Sequence, residues 1–474
     1  MPTTNPQPAK KQATVKPPKV THTELGRVYL SRYQKNTLYS RGYWHRYADG
    51  VWSPVPDFEI EMEVWRIMEQ FETMPDWIFD PTDSARRSIM SFIRASISIS
   101  EEKLDNYPNL INLKNGIYNL DSNSLIPHDP ALLLTSQLPF EYDEHATCDF
   151  WNLYIQTTFT DLTGKTTDQE LLYFIQEVIG YSLTTDVSYQ VMFWCIGEGE
   201  NGKGVLFHIL TQLGGAAATY IDLNILKREK YQLAGLLGKR IAMCSEANTH
   251  DNMVEDGVIK ALVHGDPTPV RQIRREPFVL YPQAKLWWSM NRLPTITDTS
   301  HGFWRSMKPI PFNRTFDDGN RIADLKEKLT KELSGIFNWC LIGLHRLRSN
   351  QKFSCCKQVE RMKEGLQLES NTIRLFIEDE AEMTWMNAPD GIDPKIIEGL
   401  EESSAEVYNR YKQWAMLNGY KPMSNRSFKS EMEALKFYYG KDKATRTIRI
   451  IKRLKLAPSK LSKYDPNQPK QAKF

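Results

Sequence analysis

Three short apolar runs break an otherwise mixed chain: Val191–Ile196, Ile241–Cys244 and the stretch Lys285–Met290. Runs of four to six apolar residues, closed by glycine, serine or asparagine, predict strands buried on both faces. Between and around them the apolar positions recur at helical spacing. This predicts helices over Glu59–Phe71, Ser84–Ser98, Asp149–Thr160, Gln169–Ser182 and Ile322 to about Arg348. Strands alternating with helices predict an α/β sheet. Ahead of it, Leu38–Trp52 is cut by Arg41-Gly42 and Asp49-Gly50, and Asn115–Leu120 runs into Asp121-Ser122-Asn123. The first pattern predicts small strands joined by turns, and the second a strand and turn. The aromatics crowded into Gly26–Trp52 suit the core of a small sheet, or a stacking surface for single-stranded bases. Behind the sheet, residues 351–400 read as helical pieces. Then come helices over Ala405–Leu417 and Asn425–Lys436 and strands over Lys443–Lys452, the order of a winged helix-turn-helix.

The first apolar run ends in Gly197-Glu198-Gly199-Glu200-Asn201-Gly202-Lys203-Gly204 and passes at Val205 into an apolar helix start. Strand, glycine-rich turn and helix are the context of a phosphate-binding loop. There, backbone N–H groups and a helix N-terminus face one anion, and Lys203 reaches the terminal phosphates. The hydroxyl residue that normally closes such a loop is missing, because Gly204 and Val205 carry none. The second run ends at Ser245-Glu246. Glu246 lies where ligands sit in such sheets and can polarise an attacking water, and Ser245 can support Mg²⁺ directly or through water. The third run ends at Asn291, suited to touching a γ-phosphate or the water. Arg305 follows in Gly302-Phe303-Trp304-Arg305. Between the second and third runs, Lys260 and the alternating stretch with Arg271, Arg274 and Arg275 predict a basic hairpin, either a grip on a phosphate backbone or a solvated face.

Composition narrows the alternatives. The 474 residues are 41% hydrophobic and 25% charged, ordinary for a globular chain of two to four domains. A net charge of +2 excludes a global field for DNA or membrane, but both ends are basic. Lys10, Lys11, Lys16 and Lys19 have no acid among them, and from Lys441 onward only Asp442 and Asp465 oppose lysine and arginine. Six scattered cysteines without a Cys-x-x-Cys pair argue against zinc and against a disulfide framework, and fit a reducing, cytoplasmic setting. No signal peptide is read at the N-terminus, and no apolar run approaches the ~18 residues of a membrane span.

Taken in order, the glycine loop with Lys203, the strand ending Ser245-Glu246, the basic hairpin, the strand ending Asn291 and Trp304-Arg305 resemble the motifs of superfamily 3 helicases. More narrowly, they are similar to the C-terminal half of phage and plasmid primases and to the poxvirus helicase-primase. The resemblance extends from about residue 24 to 450. It includes Leu110–Asp143 as the domain before the helicase, and the C-terminal helices and wing. It implies an AAA+-like P-loop ATPase core with an α+β N-terminal domain and a C-terminal winged helix. The implied division is a basic tail (1–22), an N-terminal domain (23–148), the ATPase domain (149–345), a helical connector (346–400), a winged helix (401–456) and a second basic tail (457–474).

It further implies a homo-hexameric ring that binds ATP and Mg²⁺ between subunits and draws single-stranded DNA from forks through its pore. Arg305 would be the finger offered to a neighbour, with Arg314 a weaker candidate. Arg426 and Lys429 would be the wing's DNA contacts; docking of another protein is the alternative for that module. No primase-like segment is read before residue 24, so a separate primase and polymerase are expected. The missing hydroxyl at 204 leaves a second class open, an ATP-switched origin-binding or loading protein that does not unwind. A small-molecule kinase accounts for neither the N-terminal region nor the basic hairpin.

Overall fold

A computed structural model describes residues 17–222, 232–245, 256–271, 277–291, 301–317, 319, 322–384, 386–388, 393–418, 420, 422–441 and 449–457. Along the described residues the first helix is α1 (His22–Tyr33), closed at its start by a capping box in which Thr21 and Glu24 satisfy each other's backbone N–H groups. A three-stranded meander follows, β1 (Thr37–Ser40), β2 (Tyr43–Ala48) and β3 (Val51–Val55), then α2 (Asp57–Glu72) and α3 (Asp83–Ile97). Leu25, Tyr29, Trp44, Ile60, Val64, Ile89 and Ile93 form their shared core. Of the dense aromatics, Tyr29 and Trp44 are fully buried and Trp52 nearly so, whereas Tyr33, Tyr39, Tyr43 and Tyr47 are half-buried. A second meander, β4 (Leu110–Leu113), β5 (Gly116–Asn119) and β6 (Ser124–Ile126), leads to α4 (Asp149–Thr158) and α5 (Gln169–Ser182).

The centre is a five-stranded parallel sheet. Its members are β7 (Met192–Ile196), followed by α6 (Lys203–Gly214), β8 (Ala218–Tyr220) and β9 (Ile241–Ser245). Next along the chain are α7 (Asp256–His264) and an antiparallel pair, β10 (Thr268–Val270) with β11 (Phe278–Leu280). The sheet is completed by β12 (Lys285–Met290), α8 (His301–Ser306) and β13 (Met307–Pro311). In space the strands run β13-β7-β12-β9-β8. Successive side chains of a strand face opposite ways, and β7 divides accordingly. Phe193 and Cys195 enter one core with α4, α5 and α6, whereas Met192 and Trp194 enter another with α7, α8 and the β10–β11 pair.

One helix was expected over Ile322–Arg348; there are two, α9 (Leu325–Thr330) and α10 (Leu333–Asn350). Beyond them lie α11 (Lys357–Ser370), α12 (Thr372–Glu380), β14 (Ala381–Thr384), α13 (Pro394–Gly399), β15 (Glu401–Ser403), α14 (Ser404–Leu417), α15 (Asn425–Ala434), β16 (Tyr438–Lys441), β17 (Arg449–Lys452) and β18 (Leu454–Leu456). The last helices pack on a three-stranded sheet, β15-β17-β16, through Val407, Tyr411, Phe428, Met432 and Ile451. No helix among the described residues is long and apolar enough to cross a membrane.

Candidate functional site

The loop Gly197–Gly202 leaves the carboxyl end of β7, and Lys203 is the first residue of α6. Glycine is required at two of its positions. At Gly202, φ is +88°, and a Cβ would also press on Thr158 and Tyr154 at 3.3 Å. At Gly197, a Cβ would stand 2.3 Å from the Asn201 amide and 2.7 Å from the Phe312 carbonyl oxygen. Asn201 is buried and braces the loop from within. Its Nδ2 donates to the Glu198 carbonyl at 2.5 Å, and its Oδ1 accepts the Lys203 N–H at 3.4 Å. Phe312 N–H to Ile196 O (2.9 Å) and Phe316 N–H to Glu200 O (2.8 Å) pin the loop to the segment after β13. At Gly204 a Cβ would meet nothing within 4 Å, so no steric reason excludes a hydroxyl residue there.

Lys203 is only 7% exposed. Its Nζ donates to the Gly197 carbonyl and, at 2.9 Å, to Asn291 Oδ1. Two residues 88 positions apart thus meet because β7 and β12 are parallel neighbours, with Ile196 opposite Met290. The end of β9 joins the same edge, since Ser245 pairs with Ser289. Glu246, Arg274 and Arg275 lie outside the described residues, as does the side chain of Ser245. Among the described residues no cluster of three or more histidines, cysteines or carboxylates could hold a metal ion.

A cavity of about 660 Å³ opens beside the loop. One wall is α4 (Leu153, Tyr154, Thr157) and another is Arg314 and Phe316, with Ile322 and Leu325 closing it and Glu200, Gly202 and Val205 forming its floor. Arg314 and Lys326 are outnumbered by Glu200, Asp324 and Glu327, so the cavity holds no net positive field, and its apolar lining suits a flat ring better than an anion. Arg314 donates to Thr157 O at 3.3 Å and lies 5.0 Å from the centre of the Phe316 ring. Sequence reasoning passed over Tyr154, Phe316 and Leu325, because nothing local distinguishes them from core residues.

Arg305 lies elsewhere. It lies in the last turn of α8 at the amino end of the sheet, where Met307 pairs with Met192, and its guanidinium donates to Gln190 at 3.2 Å. At ~3.3 Å per strand residue, the length of β7 puts it about 16 Å from its own loop. Lys260 sits on α7, half-buried, and Arg271 is exposed at the tip of the β10–β11 pair. That pair leans on the N-terminal region, where Val279 N–H donates to Glu101 at 2.8 Å. Arg426 and Lys429 are exposed on α15; Lys429 also pairs with Glu433 at 3.7 Å and lies 5.1 Å from the Tyr439 ring centre.

Comparison with known proteins adds three family matches. A D5 N-terminal-like model covers residues 27–160, a family of unknown function covers 195–305, and a poxvirus D5 protein-like model covers 368–448. Three viral proteins, each named "Putative helicase", are similar. That of Acanthamoeba polyphaga mimivirus is 26% identical over 243 residues, 48% of this chain and 24% of the viral protein. That of Invertebrate iridescent virus 6 is 26% identical over 256 residues, 51% of this chain and 26% of the relative. That of Invertebrate iridescent virus 3 is 23% identical over 366 residues, 62% and 38%. This chain therefore spans well under half the length of the curated relatives it matches. Among solved structures, the apo NrS-1 C-terminal region aligns with 93% of this chain and all of its own length, at 9% identity and a TM-score of 0.49. Two stretches of the chain thus match D5 models, a D5 N-terminal-like one ahead of the central sheet and a poxvirus D5 protein-like one behind it.

Proposed function

We propose that this protein is an ATP-dependent DNA helicase of the superfamily 3 type, whose nucleotide site is the edge where β7 and β12 end. The observation that carries this reading is the contact of Lys203 with Asn291 beside an apolar cavity. A cation, a polar sensor side chain and a ring-sized cleft converge at the carboxyl end of a parallel sheet, the end where ligands bind in such folds. The helicase-named viral relatives and the D5-like domains support the same class.

In this reading the base lies against Leu153, Phe316 and Leu325, and the triphosphate follows the loop toward Lys203. The ammonium then exchanges the Gly197 carbonyl for phosphate oxygens. Asn291 holds the attacking water or the γ-phosphate, and Glu246, next in sequence after β9, polarises that water. Phosphoryl transfer depends on positioning and charge neutralisation. Mg²⁺, when bound, supplies part of that neutralisation; Ser245 and Glu246 are the residues proposed to hold it, since Gly204 and Val205 offer no hydroxyl. Arg271 at the end of β10, Arg274 and Arg275 following it in sequence, and Lys260 on α7 are the proposed single-strand contacts. The β15–α14–α15–β16–β17 order supports a winged helix presenting Arg426 and Lys429. A homo-hexameric ring, with a separate primase and polymerase, completes the proposal.

The absent hydroxyl favours one alternative, a loader that binds ATP and assembles on DNA without unwinding it. Strand displacement on 3′- and 5′-tailed forks, with Lys203→Ala beside the natural protein, tests both. The expected outcome is ATP-driven displacement lost by at least ~10²-fold in Lys203→Ala, with secondary structure retained. ATP-dependent DNA binding without displacement by the natural protein would establish the loader instead. Displacement undiminished in Lys203→Ala would remove the motor reading.

A further inference from the structure

We propose that Tyr154 is a positioning residue that ties the base cavity to the phosphate loop; the inference rests on the nucleotide site described above. Tyr154 belongs to α4, outside the loop in sequence, and only 2% of it is exposed. Its ring lines the cavity and packs against Trp151, 5.4 Å between centres. Its hydroxyl donates to the Gly202 carbonyl oxygen at 3.1 Å. That oxygen also accepts the first two backbone bonds of α6, from Val205 (2.9 Å) and Leu206 (3.2 Å). One side chain therefore forms cavity wall at one end and, at the other, grips the peptide that sets the direction of Lys203.

The chemistry of the group suits this role. Burial pushes the phenol far above its ordinary pKa, so it remains a neutral donor at any working pH. Gly202, in the left-handed region, has no Cβ and lets Tyr154 and Thr158 pack directly against the backbone. The six-residue loop between β7 and α6 is also held by Asn201 from inside, by Phe316 at Glu200, and at Gly197 by the Lys203 ammonium and the Met290 carbonyl. Tyr154 is a fixed point whose side chain itself spans from the cavity to the loop. A ring seated between Leu153 and Leu325 bears on Tyr154, and through its hydroxyl on the Gly202–Lys203 peptide. The hydroxyl thus acts on the phosphate half of the ligand, whereas the ring acts on the base half.

This separation is measurable with two probes, ATP and inorganic tripolyphosphate, the second having no base. Tyr154→Phe keeps the ring and its packing on Trp151 but removes the donor. Losing one net hydrogen bond corresponds to about a five- to tenfold weakening. The expected result is that Tyr154→Phe weakens both probes by the same factor, and that amides of Gly202–Leu206 exchange hydrogen faster in the free variant. Leu325→Ala, on the far wall, is expected to weaken ATP only. A tripolyphosphate affinity unchanged in Tyr154→Phe overturns the inference, whether or not ATP binding falls, because the hydroxyl would then serve the base or the fold alone. If the natural protein binds neither probe, the nucleotide reading fails and takes this inference with it.

Discussion

Single residues reveal how much of this site is built from groups held away from water. Lys203 is buried at the loop, and Lys285 is buried more deeply at the opposite end of β12. Lys285 Nζ donates to the carbonyls of Thr184 (2.5 Å) and Gln283 (3.1 Å) and lies 4.8 Å from the Tyr181 ring centre. Burial lowers its pKa from 10.5 to about 7; Asp186 opposes the shift and Arg240 adds to it. The folded state therefore binds its proton less tightly than the unfolded chain. The resulting penalty is full below about pH 7, shrinks as pH rises and vanishes above about pH 10.5. Against a Lys285→Met variant, the natural protein should gain relative stability between about pH 7 and pH 10, read from urea midpoints. A difference that stays flat over that range would mean that folded Lys285 keeps its proton throughout, as the unfolded chain does.

At the level of elements, the interruption between α9 and α10 has a tertiary cause. Helical spacing runs continuously through this stretch, which is why one helix was expected. Glu332 sits at the break, and its carboxylate accepts the N–H groups of Phe150 (3.1 Å) and Trp151 (3.0 Å) at the start of α4. A carboxylate at a helix N-terminus satisfies otherwise orphaned donors and meets the positive end of the dipole. Glu332→Ala should cost about 1–2 kcal/mol in urea unfolding. Because α4 carries Tyr154, it should also weaken ATP binding; unchanged stability would mean that the cap contributes nothing. The edge strand β13 shows the converse difficulty. Its sequence, Met307-Lys-Pro-Ile-Pro, contains two prolines and does not read as a strand. It is tolerated because, among the described residues, β13 pairs only with β7, leaving one side without ladder partners. Helix α1 was likewise unread, since its aromatics Tyr29 and Tyr33 were grouped with those of the following meander.

For the whole molecule the question is where Arg305 acts. Its distance from its own loop suits a residue supplied to a neighbouring copy, as the hexamer reading requires. Arg305→Ala should then lower ATP turnover by ~10³-fold or more, and Glu246→Gln should do the same for a different reason. Mixing the two variants should restore turnover, because one interface in a mixed ring joins an intact loop to an intact arginine. Steady-state ATPase of the mixture checks this, and a mixture no more active than its parts would place both groups in one chain's site.

What the sequence determined by itself was local and contiguous. The glycine loop between an apolar strand and a helix is legible because its chemistry lies within eight consecutive residues, and the strand ends at Asn291 and Ser245 are legible because apolar runs stop there. Turn residues mark the first meander and one strand of the second, and Lys203 and Asn291 are each singled out by sequence, but only the fold places them 2.9 Å apart. The tertiary structure decided everything that depends on juxtaposition. It brought α4 beneath the loop, turned Tyr154 from an ordinary aromatic into a wall and a clamp, moved Arg314 to the cavity and left Arg305 at the far edge. The reason is physical: periodicity reports which face of an element avoids water, but not which distant element will cover it. That choice depends on side-chain shape and strand order summed over the whole core.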